Sequence, residues 1–370
     1  MWNKTKSIEE KIKCQAEAVT MLNKSRRILL SWCTGVGKTL GSLKMIEKYY
    51  NYKPTIKGYI ICKETTHLSN WDEDIMEHGM GFIHGITEKF LYASVKKYSD
   101  RGFVDFVILD ECHAITPARA EHLKMIIGPE TLVIALSATV DVKKAALLHE
   151  VCKGKYSEYH ISITEAINRG ILPAPVVVIH SLSLGKHQEE YDRLTAQVNK
   201  YGNDYEASSG DKWKHIKWVN AGAMRKMAMS EMKTVQATKI IKEFGDSRFI
   251  CFSGTKWQAE ELAMPTDNYV HSGNSAKENQ AKKDEFNNEE INSLFVVNMM
   301  REAINLVKVE KGLIVQLDSV KLSFVQMLGR VFRSDLPEMH IMVYKNTQDA
   351  IYLRRVMKGF PVKYVKTLEY

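Results

Sequence analysis

The chain has 370 residues, of which 45% are hydrophobic and 26% charged, and its formal net charge at pH 7 is +8. This length predicts two domains, since domains usually contain about 100–200 residues. The longest apolar runs are strand-sized, and the polar first ten residues lack the apolar stretch of a secretory signal, which argues against a spanning helix and against export. We therefore expect a cytoplasmic protein.

The cysteine pattern argues against a zinc site or a redox dithiol. None of the six cysteines is paired as Cys-x-x-Cys, the spacing typical of both kinds of site. We interpret them as reduced, mostly buried thiols. The positive net charge is compatible with a polyphosphate partner such as nucleic acid, but many basic proteins bind none.

Short apolar runs alternate with amphipathic stretches in the first part of the chain. The predicted strands are 27–32, 58–62, 103–109 and 131–136, and the predicted helices include 40–50 and 68–78. This alternation, with nearly continuous apolar strands, predicts a parallel sheet covered by helices on both faces. We assign residues 1–160 to a first α/β domain.

The same alternation restarts in the second half. The predicted strands are 176–180, 248–252, 294–297, 312–317 and 340–344, with helices at 256–263 and 277–287. We assign residues 161–370 to a second α/β domain, because glycine and proline punctuate the stretch 156–175. Residues 186–244 are predicted to be a mostly helical insertion in this domain.

A glycine loop follows the first predicted strand and precedes a helix. It reads Cys-Thr-Gly-Val-Gly-Lys-Thr over 33–39, and Trp32 stands where the full phosphate-loop pattern has glycine. Glycines let backbone N–H groups turn towards phosphate oxygens, and the helix N-terminus adds its dipole. The residues predicted to bind the nucleotide are Thr34, Gly35, Val36, Gly37, Lys38 and Thr39.

A carboxylate pair follows the strand predicted at 103–109. Asp110 and Glu111 come directly after the apolar run Phe-Val-Ile-Leu, and a carboxylate at that edge of a parallel sheet faces the ligand crevice. We expect Asp110, together with the Thr39 hydroxyl, to hold Mg²⁺. Glu111 is predicted to act as general base on the attacking water, with Lys38 neutralising the β- and γ-phosphates of ATP.

In this order the motifs resemble those of superfamily-2 helicases of the DEAD/DEAH type, here with a DECH box at 110–113. The resemblance covers nearly the whole chain, and the sequence Gln-Met-Leu-Gly-Arg-Val-Phe-Arg at 326–333 matches the last helicase motif at each defining position. Further matches are motif Ia at 60–66, motif III at 137–139, motif IV at 249–255 and motif V at 302–306. The pattern is most similar to nucleotide-excision-repair-type and phage branch-migration DNA helicases.

The resemblance implies an architecture and a set of roles. The fold would be two tandem RecA-like P-loop NTPase domains with parallel sheets and the ATP site in the cleft between them. Gln15 would read adenine, and Ser137, Thr139, Glu302 and Asn305 would couple the ATP site to nucleic acid. The implied catalytic residues are Lys38, Asp110, Glu111, Gln326, Arg330 and Arg333, the two arginines acting as arginine fingers.

The resemblance also implies a nucleic-acid track formed by both domains. The candidate contacts are Lys63, Thr65, Ser94, Ser253, Thr255, Lys256 and Ser272. Hydroxyls, lysines and backbone amides suit phosphate contacts, which carry no sequence information, so binding is expected to be non-specific and salt-dependent. Trp213 and Trp218 lie among lysines and are a further candidate contact through base stacking. The alternative for this pair is an amphipathic helix whose tryptophans pack on the domain.

The sequence therefore predicts an ATP-dependent DNA helicase or translocase that acts in repair, recombination or replication, with ATP and Mg²⁺ as cofactors. We expect a monomer that prefers DNA to RNA, located in the host cytoplasm if a phage encodes it. A single-strand-binding or recombination partner is left open. The alternatives are an RNA helicase and a nucleic-acid-binding ATP switch that does not translocate.

Overall fold

The structure, a computed structural model, describes residues 2–138, 140–297, 306–317, 327, 329, 331 and 334–370. The chain forms two compact units, Met1–Leu172 and Pro173–Tyr370. The sequence-based prediction placed the domain boundary earlier, between residues 160 and 161. Among the described residues, no helix is both long and apolar enough to cross a membrane.

The first unit is a six-stranded sheet with neighbours in the order β3-β2-β4-β5-β1-β6, and every pair is parallel. The strands are β1 (Arg27–Trp32), β2 (Gly58–Cys62), β3 (Thr87–Leu91), β4 (Phe106–Leu109), β5 (Leu132–Ser137) and β6 (Ser157–Ile161). The four central strands are buried almost throughout, as expected for a sheet covered on both faces.

Eight helices accompany this sheet among the described residues. They are α1 (Lys4–Ser25), α2 (Lys38–Tyr52), α3 (Thr65–Glu77), α4 (Phe82–Ile86), α5 (Val95–Tyr98), α6 (Pro117–Ile126), α7 (Val142–Val151) and α8 (Ile163–Asn168). Polar side chains cap several of them, because the first N–H groups of a helix have no partner within it. Asn3 accepts from Lys6 N at 3.0 Å, and Thr116 and Asp141 cap α6 and α7 in the same way.

The second unit is a seven-stranded sheet in the order β13-β7-β12-β11-β8-β10-β9, again with parallel neighbours throughout. The strands are β7 (Val176–Leu182), β8 (Phe249–Ser253), β9 (Tyr269–Val270), β10 (Ser293–Val297), β11 (Lys311–Ile314), β12 (Glu338–Tyr344) and β13 (Val365–Glu369). The helices described in this unit are α9 (Gln188–Glu206), α10 (Lys212–Glu231), α11 (Thr234–Glu243), α12 (Lys256–Ala263), α13 (Ala276–Asn287) and α14 (Gln348–Val356).

Three of these helices, α9, α10 and α11, occupy the segment predicted as a helical insertion. They lie between β7 and β8, and α9 and α10 pack against each other as a helical hairpin. The turn of the hairpin spans residues 207–211, and the Asp211 carboxylate caps α10 by accepting from the backbone N–H of Trp213 at 2.8 Å. The cap fixes the start of α10, and with it the position of Trp213.

Candidate nucleotide and nucleic-acid sites

The phosphate loop follows the carboxyl end of β1 and leads into α2. Gly35 and Gly37 have φ angles of +91° and +96°, which only glycine adopts without strain. Space is also limited, since a Cβ on Gly35 would lie 2.9 Å from Leu172 Cδ2 and one on Gly37 would lie 3.2 Å from Gln15 Nε2. Both glycines predicted to shape the loop are therefore required by its conformation.

Lys38 and Trp32 are linked across the base of this loop. Lys38 Nζ donates to the Trp32 carbonyl oxygen at 2.8 Å. The Trp32 side chain is fully buried, its ring lies edge-on to Tyr159 with 5.4 Å between centroids, and it lies next to Gly41 of α2. Trp32 therefore departs from the usual glycine without entering the phosphate loop, because its indole points into the core.

Gln15, the predicted adenine-reading residue, lies on α1 beside the phosphate loop. It is buried, its Oε1 accepts from Lys44 Nζ at 2.8 Å, and its Nε2 is adjacent to Gly37. The far end of α1 is bonded to the segment that follows α8, through Ser7 Oγ to Ile171 O at 2.6 Å. Helix α1 is thus held near its N-terminal end by Ser7 and near its middle by Gln15, which lies beside the loop.

Asp110 and Glu111 follow the carboxyl end of β4, as predicted. Glu111 has φ +48°, an unusual conformation for a residue with a side chain and one that is enriched at functional sites. His113 Nδ1 lies 3.0 Å from Glu111 Oε2 and 3.2 Å from the Ser137 hydroxyl at the end of β5. His113 therefore connects the proposed base to Ser137, one of the predicted coupling residues.

The electrostatics of this site favour a charged Glu111. Burial acts to raise the pKa of Glu111, but the close approach of His113 Nδ1 to its Oε2 and the positive charge of Lys38 outweigh it and leave the pKa below its ordinary value. A carboxylate that stays ionised while buried near Lys38 has the properties required of a base for water attack.

Three side chains of α3 face the same site, and the sequence analysis assigned none of them a role. Trp71 Nε1 donates to Asp110 Oδ2 at 3.1 Å, and His67 Nδ1 lies 3.3 Å from the same oxygen. Asp74 lies on the same face near Thr39, and burial raises the pKa of its carboxyl. The positions 67, 71 and 74 share one face of a helix, which is the signal that could have identified them.

The donor set fits Mg²⁺. Among the described residues, the two α3 donors both approach Asp110 Oδ2, which leaves Oδ1 as the oxygen for a cation, and Thr39 adds a hydroxyl. No group of three or more metal-binding side chains occurs in the described part of the chain. Mg²⁺ in phosphate sites is typically held by one or two protein oxygens together with phosphates and water, so two ligands are sufficient.

Several predicted residues lie outside the described part of the chain. They are Thr139 of motif III, Glu302 and Asn305 of motif V, and Gln326, Arg330 and Arg333 of motif VI. Their roles stay as predicted from the resemblance.

The candidate nucleic-acid contacts of the first unit follow the ends of β2 and β3. Thr65 is exposed at the start of α3, whereas Lys63 and Ser94 are partly buried. In the second unit Lys256 and Ser272 are exposed. These residues have surface that a phosphate could reach.

Two of the second unit's candidates are already engaged. The Ser253 side chain is fully buried, so its hydroxyl offers no surface to a strand. Thr255 is the N-cap of α12, and its hydroxyl accepts from Gln258 N at 3.1 Å. The Thr255 hydroxyl therefore shapes the loop after β8, whereas the Ser253 hydroxyl lies within the strand near Cys251 Sγ.

The two tryptophans of α10 have different surroundings. Trp218 packs inside the hairpin, stacked on Tyr205 with 5.7 Å between centroids and close to Gly202, where a Cβ would lie 3.1 Å from its Nε1. Trp213 is 75% exposed beside the turn of the hairpin. The packing alternative therefore describes Trp218, and Trp213 alone has a free aromatic face.

Residues 232–335 match the family model of the helicase conserved C-terminal domain. None of the curated proteins matches the sequence of the chain. Among solved structures, Dbp5 of S. cerevisiae bound to RNA and ADP BeF3 is similar, with 12% identity, a TM-score of 0.65, and coverage of 96% of this chain and 89% of that one.

Two further solved structures have the same fold. The Hef helicase domain of Pyrococcus furiosus is 15% identical with a TM-score of 0.55, and 91% of this chain and 96% of that one are covered. The Type ISP restriction-modification enzyme LlaBIII bound to DNA is 12% identical with a TM-score of 0.62, and 97% of this chain but only 31% of that one is covered.

These comparisons establish the fold as two parallel-sheet α/β domains of the RecA-like helicase type, which confirms the predicted fold class. Together with the C-terminal domain match they support an ATP-hydrolysing helicase as the class of enzyme. The predicted resemblance to helicases is supported by the C-terminal domain match, and the superfamily-2, DECH-box and branch-migration assignments stay predictions. Since structures of this fold are bound to RNA as well as to DNA, the fold leaves the kind of nucleic acid open.

Proposed function

We propose that the protein is an ATP-dependent DNA helicase or translocase whose motor site is built on the phosphate loop of the first unit. One observation carries the proposal: the glycine loop with Lys38, the helix start with Thr39, and the carboxylates Asp110 and Glu111 all lie at the carboxyl edge of one parallel sheet. Ligands of open α/β sheets bind at this edge.

Each of these groups has a defined task. Lys38 would exchange the Trp32 carbonyl for the phosphates of ATP, and Glu111 would accept a proton from the attacking water. Thr39 and Asp110 would hold Mg²⁺, which neutralises charge on the phosphates. Arg330 and Arg333 would add cations at the transferred phosphate, and His113 with Ser137 would relay the state of Glu111 to the coupling motifs.

The preference for DNA rests on the motif pattern. The segments 165–175 and 302–306 and the motif at 326–333 resemble those of nucleotide-excision-repair-type and phage branch-migration helicases. Lys63, Thr65, Ser94, Lys256 and Ser272 are the proposed phosphate contacts, and the positive net charge supports binding that falls with rising salt.

The decisive experiment measures ATP hydrolysis alone and with single-stranded DNA, branched DNA, duplex DNA and RNA. We expect DNA to stimulate hydrolysis, and Lys38→Ala to lower the stimulated rate by about 100-fold or more, because a cation aimed at the developing charge is lost. Lys48→Ala is the matched control, since Lys48 is exposed on the same helix α2 and should have the wild-type rate.

Other results of this experiment would favour one of the two alternative functions. Stimulation by RNA alone would replace the DNA helicase with an RNA helicase. Hydrolysis that no nucleic acid stimulates, or a Glu111→Gln protein with unchanged biological activity, would favour a nucleic-acid-binding ATP switch.

A further inference from the structure

The inner face of α3 contacts Asp110, one of the two side chains that would hold Mg²⁺. Trp71 donates to Asp110 Oδ2, and His67 Nδ1 approaches the same oxygen. The helix begins at Thr65, directly after the segment that follows β2, so its first three turns pass across the site. One helix therefore contacts the carboxylate at the end of β4 through two side chains.

The contacts on Asp110 are directional. Trp71 is only 2% exposed, and a buried indole N–H needs an acceptor, which Asp110 Oδ2 provides at 3.1 Å. Because His67 approaches the same oxygen at 3.3 Å, the carboxylate is held from one side and its rotation is restricted. Packing by itself does not require the N–H of a buried ring to be aimed at this oxygen. Metal ligands generally have hydrogen-bond partners that fix the ligand's orientation, and Trp71 and His67 are placed to serve Asp110 in this way.

We propose that His67 and Trp71 are positioning residues that orient Asp110 towards Mg²⁺, so that α3 sets the affinity of the site for the metal–nucleotide complex. This inference rests on the proposed function, because it assumes that ATP binds at the phosphate loop. Neither side chain needs to touch ATP itself.

The test measures the binding of a non-hydrolysable ATP analogue by calorimetry over a series of Mg²⁺ concentrations. Trp71→Phe keeps a smaller aromatic ring and removes the donor, and we expect the Mg²⁺ concentration for half-maximal enhancement of binding to rise about tenfold. Affinity measured in EDTA should stay at the wild-type value. Trp257→Phe, on the half-exposed side chain of α12, is the matched control and should be unchanged.

Variants of His67 test the proposal independently of Trp71. His67→Asn keeps a donor near the position of Nδ1 and should behave nearly as the wild type, whereas His67→Leu should raise the Mg²⁺ requirement. If Trp71→Phe does not fold, His67→Leu against His67→Asn decides the question with the same readout.

The failures of the two proposals are distinguishable. A wild-type protein that shows no Mg²⁺-dependent binding of the analogue overturns the proposed function. Mg²⁺-dependent binding that is the same in the wild type, Trp71→Phe and His67→Leu overturns only the role of α3.

Discussion

Lys233 carries an ammonium group into the core of the second unit. Lys233 and Asp349 are both fully buried, and Nζ lies 2.6 Å from Asp349 Oδ2. Nζ also donates to Val315 O and Gln316 Oε1 at 3.0 Å and to Met342 O at 3.2 Å. Burial lowers the pKa of Lys233, and Asp349 opposes this shift. These contacts tie the start of α11 to the carboxyl ends of β11 and β12.

We expect Lys233→Met to lower the free energy of unfolding by about 3–5 kcal/mol, because Asp349 would keep a buried charge without its partner. The double variant Lys233→Met with Asp349→Leu should recover much of this loss. Urea unfolding measures both, with Lys239→Met on the exposed side of α11 as the control. An equal loss in Lys233→Met and Lys239→Met would mean that the ion pair contributes nothing.

At the scale of elements, the two tryptophans of the helical hairpin have different environments, one packed and one exposed. Five residues of α-helix turn through about 500°, which leaves Trp213 and Trp218 about 140° apart around α10. Trp218 therefore packs on α9, where Tyr205 and Gly202 receive it, while Trp213 projects beside Lys212 and Lys214 at the turn. Lysines beside a free aromatic face suit a nucleic-acid strand, because bases stack on the ring and the cations neutralise phosphates.

We predict that Trp213→Ala weakens binding of single-stranded DNA by about 1–3 kcal/mol, the usual effect of losing one stacking platform, and that Trp213→Phe retains most of the affinity. Anisotropy of a labelled oligonucleotide measures the affinities. Trp218→Ala should instead lower the thermal stability of the protein, because the hairpin loses its internal stacking. Wild-type DNA affinity in Trp213→Ala would assign the exposed ring to another partner, such as a protein.

At the scale of the whole molecule, one source of sensitivity to acid lies in the second unit. His180 on β7 and His340 on β12 form a buried pair, with His180 Nε2 2.8 Å from His340 Nδ1 and His180 Nδ1 3.2 Å from the Tyr370 hydroxyl. Burial together with His340 lowers the pKa of His180 to about 4, and burial together with Lys311 lowers the pKa of His340 to about 4. Glu338, whose carboxylate lies 3.1 Å from His340 Nε2, does not reverse this.

Because the pKa values of both histidines are lowered in the folded protein, acid should destabilise the second unit. In the unfolded chain a histidine has a pKa of about 6.5, so between pH 6.5 and 4 the unfolded chain binds protons that the folded chain does not. We expect the free energy of unfolding of the second unit to have its full value above about pH 6.5 and to fall as the pH drops towards 4. Hydrogen exchange of β7 and β12, corrected for the intrinsic rate, measures this, with β2 as the internal reference.

The matched variant for this prediction is His180→Gln, which does not titrate and keeps a polar group near Nε2. Its second unit should lose less protection between pH 7 and pH 5 than that of the wild type. An identical pH dependence in both proteins would exclude the histidine pair as the cause.

The motif loops were predictable because contiguous residues define them. The segments 33–39 and 110–113 each place a chemical group directly after a buried apolar strand, and both occur where predicted. The edge strands β3, β6 and β13 were not predicted, since they are half-exposed and lack a continuous apolar run. The apolar run at 103–109 was predicted three residues too long, because Phe103 lies outside β4 and covers Gly128.

The contacts between helices and strands could not be predicted from the sequence. That Trp71 meets Asp110 depends on which face α3 turns to the sheet, and that Lys233 meets Asp349 depends on a contact across more than 100 positions of the chain. Neither pair can be identified from neighbouring residues in the sequence. In a polar helical segment, for example, the sequence does not distinguish a buried lysine from an exposed one.

Leu172 packs against the phosphate loop and is also the last residue of the first unit. A Cβ added to Gly35 would lie 2.9 Å from Leu172 Cδ2. A phosphate loop that changes shape around its ligand must push against Leu172 or be resisted by it, since the space there would not admit even one added methyl group. A change in the shape of the loop would therefore act on the residue that directly precedes the second unit.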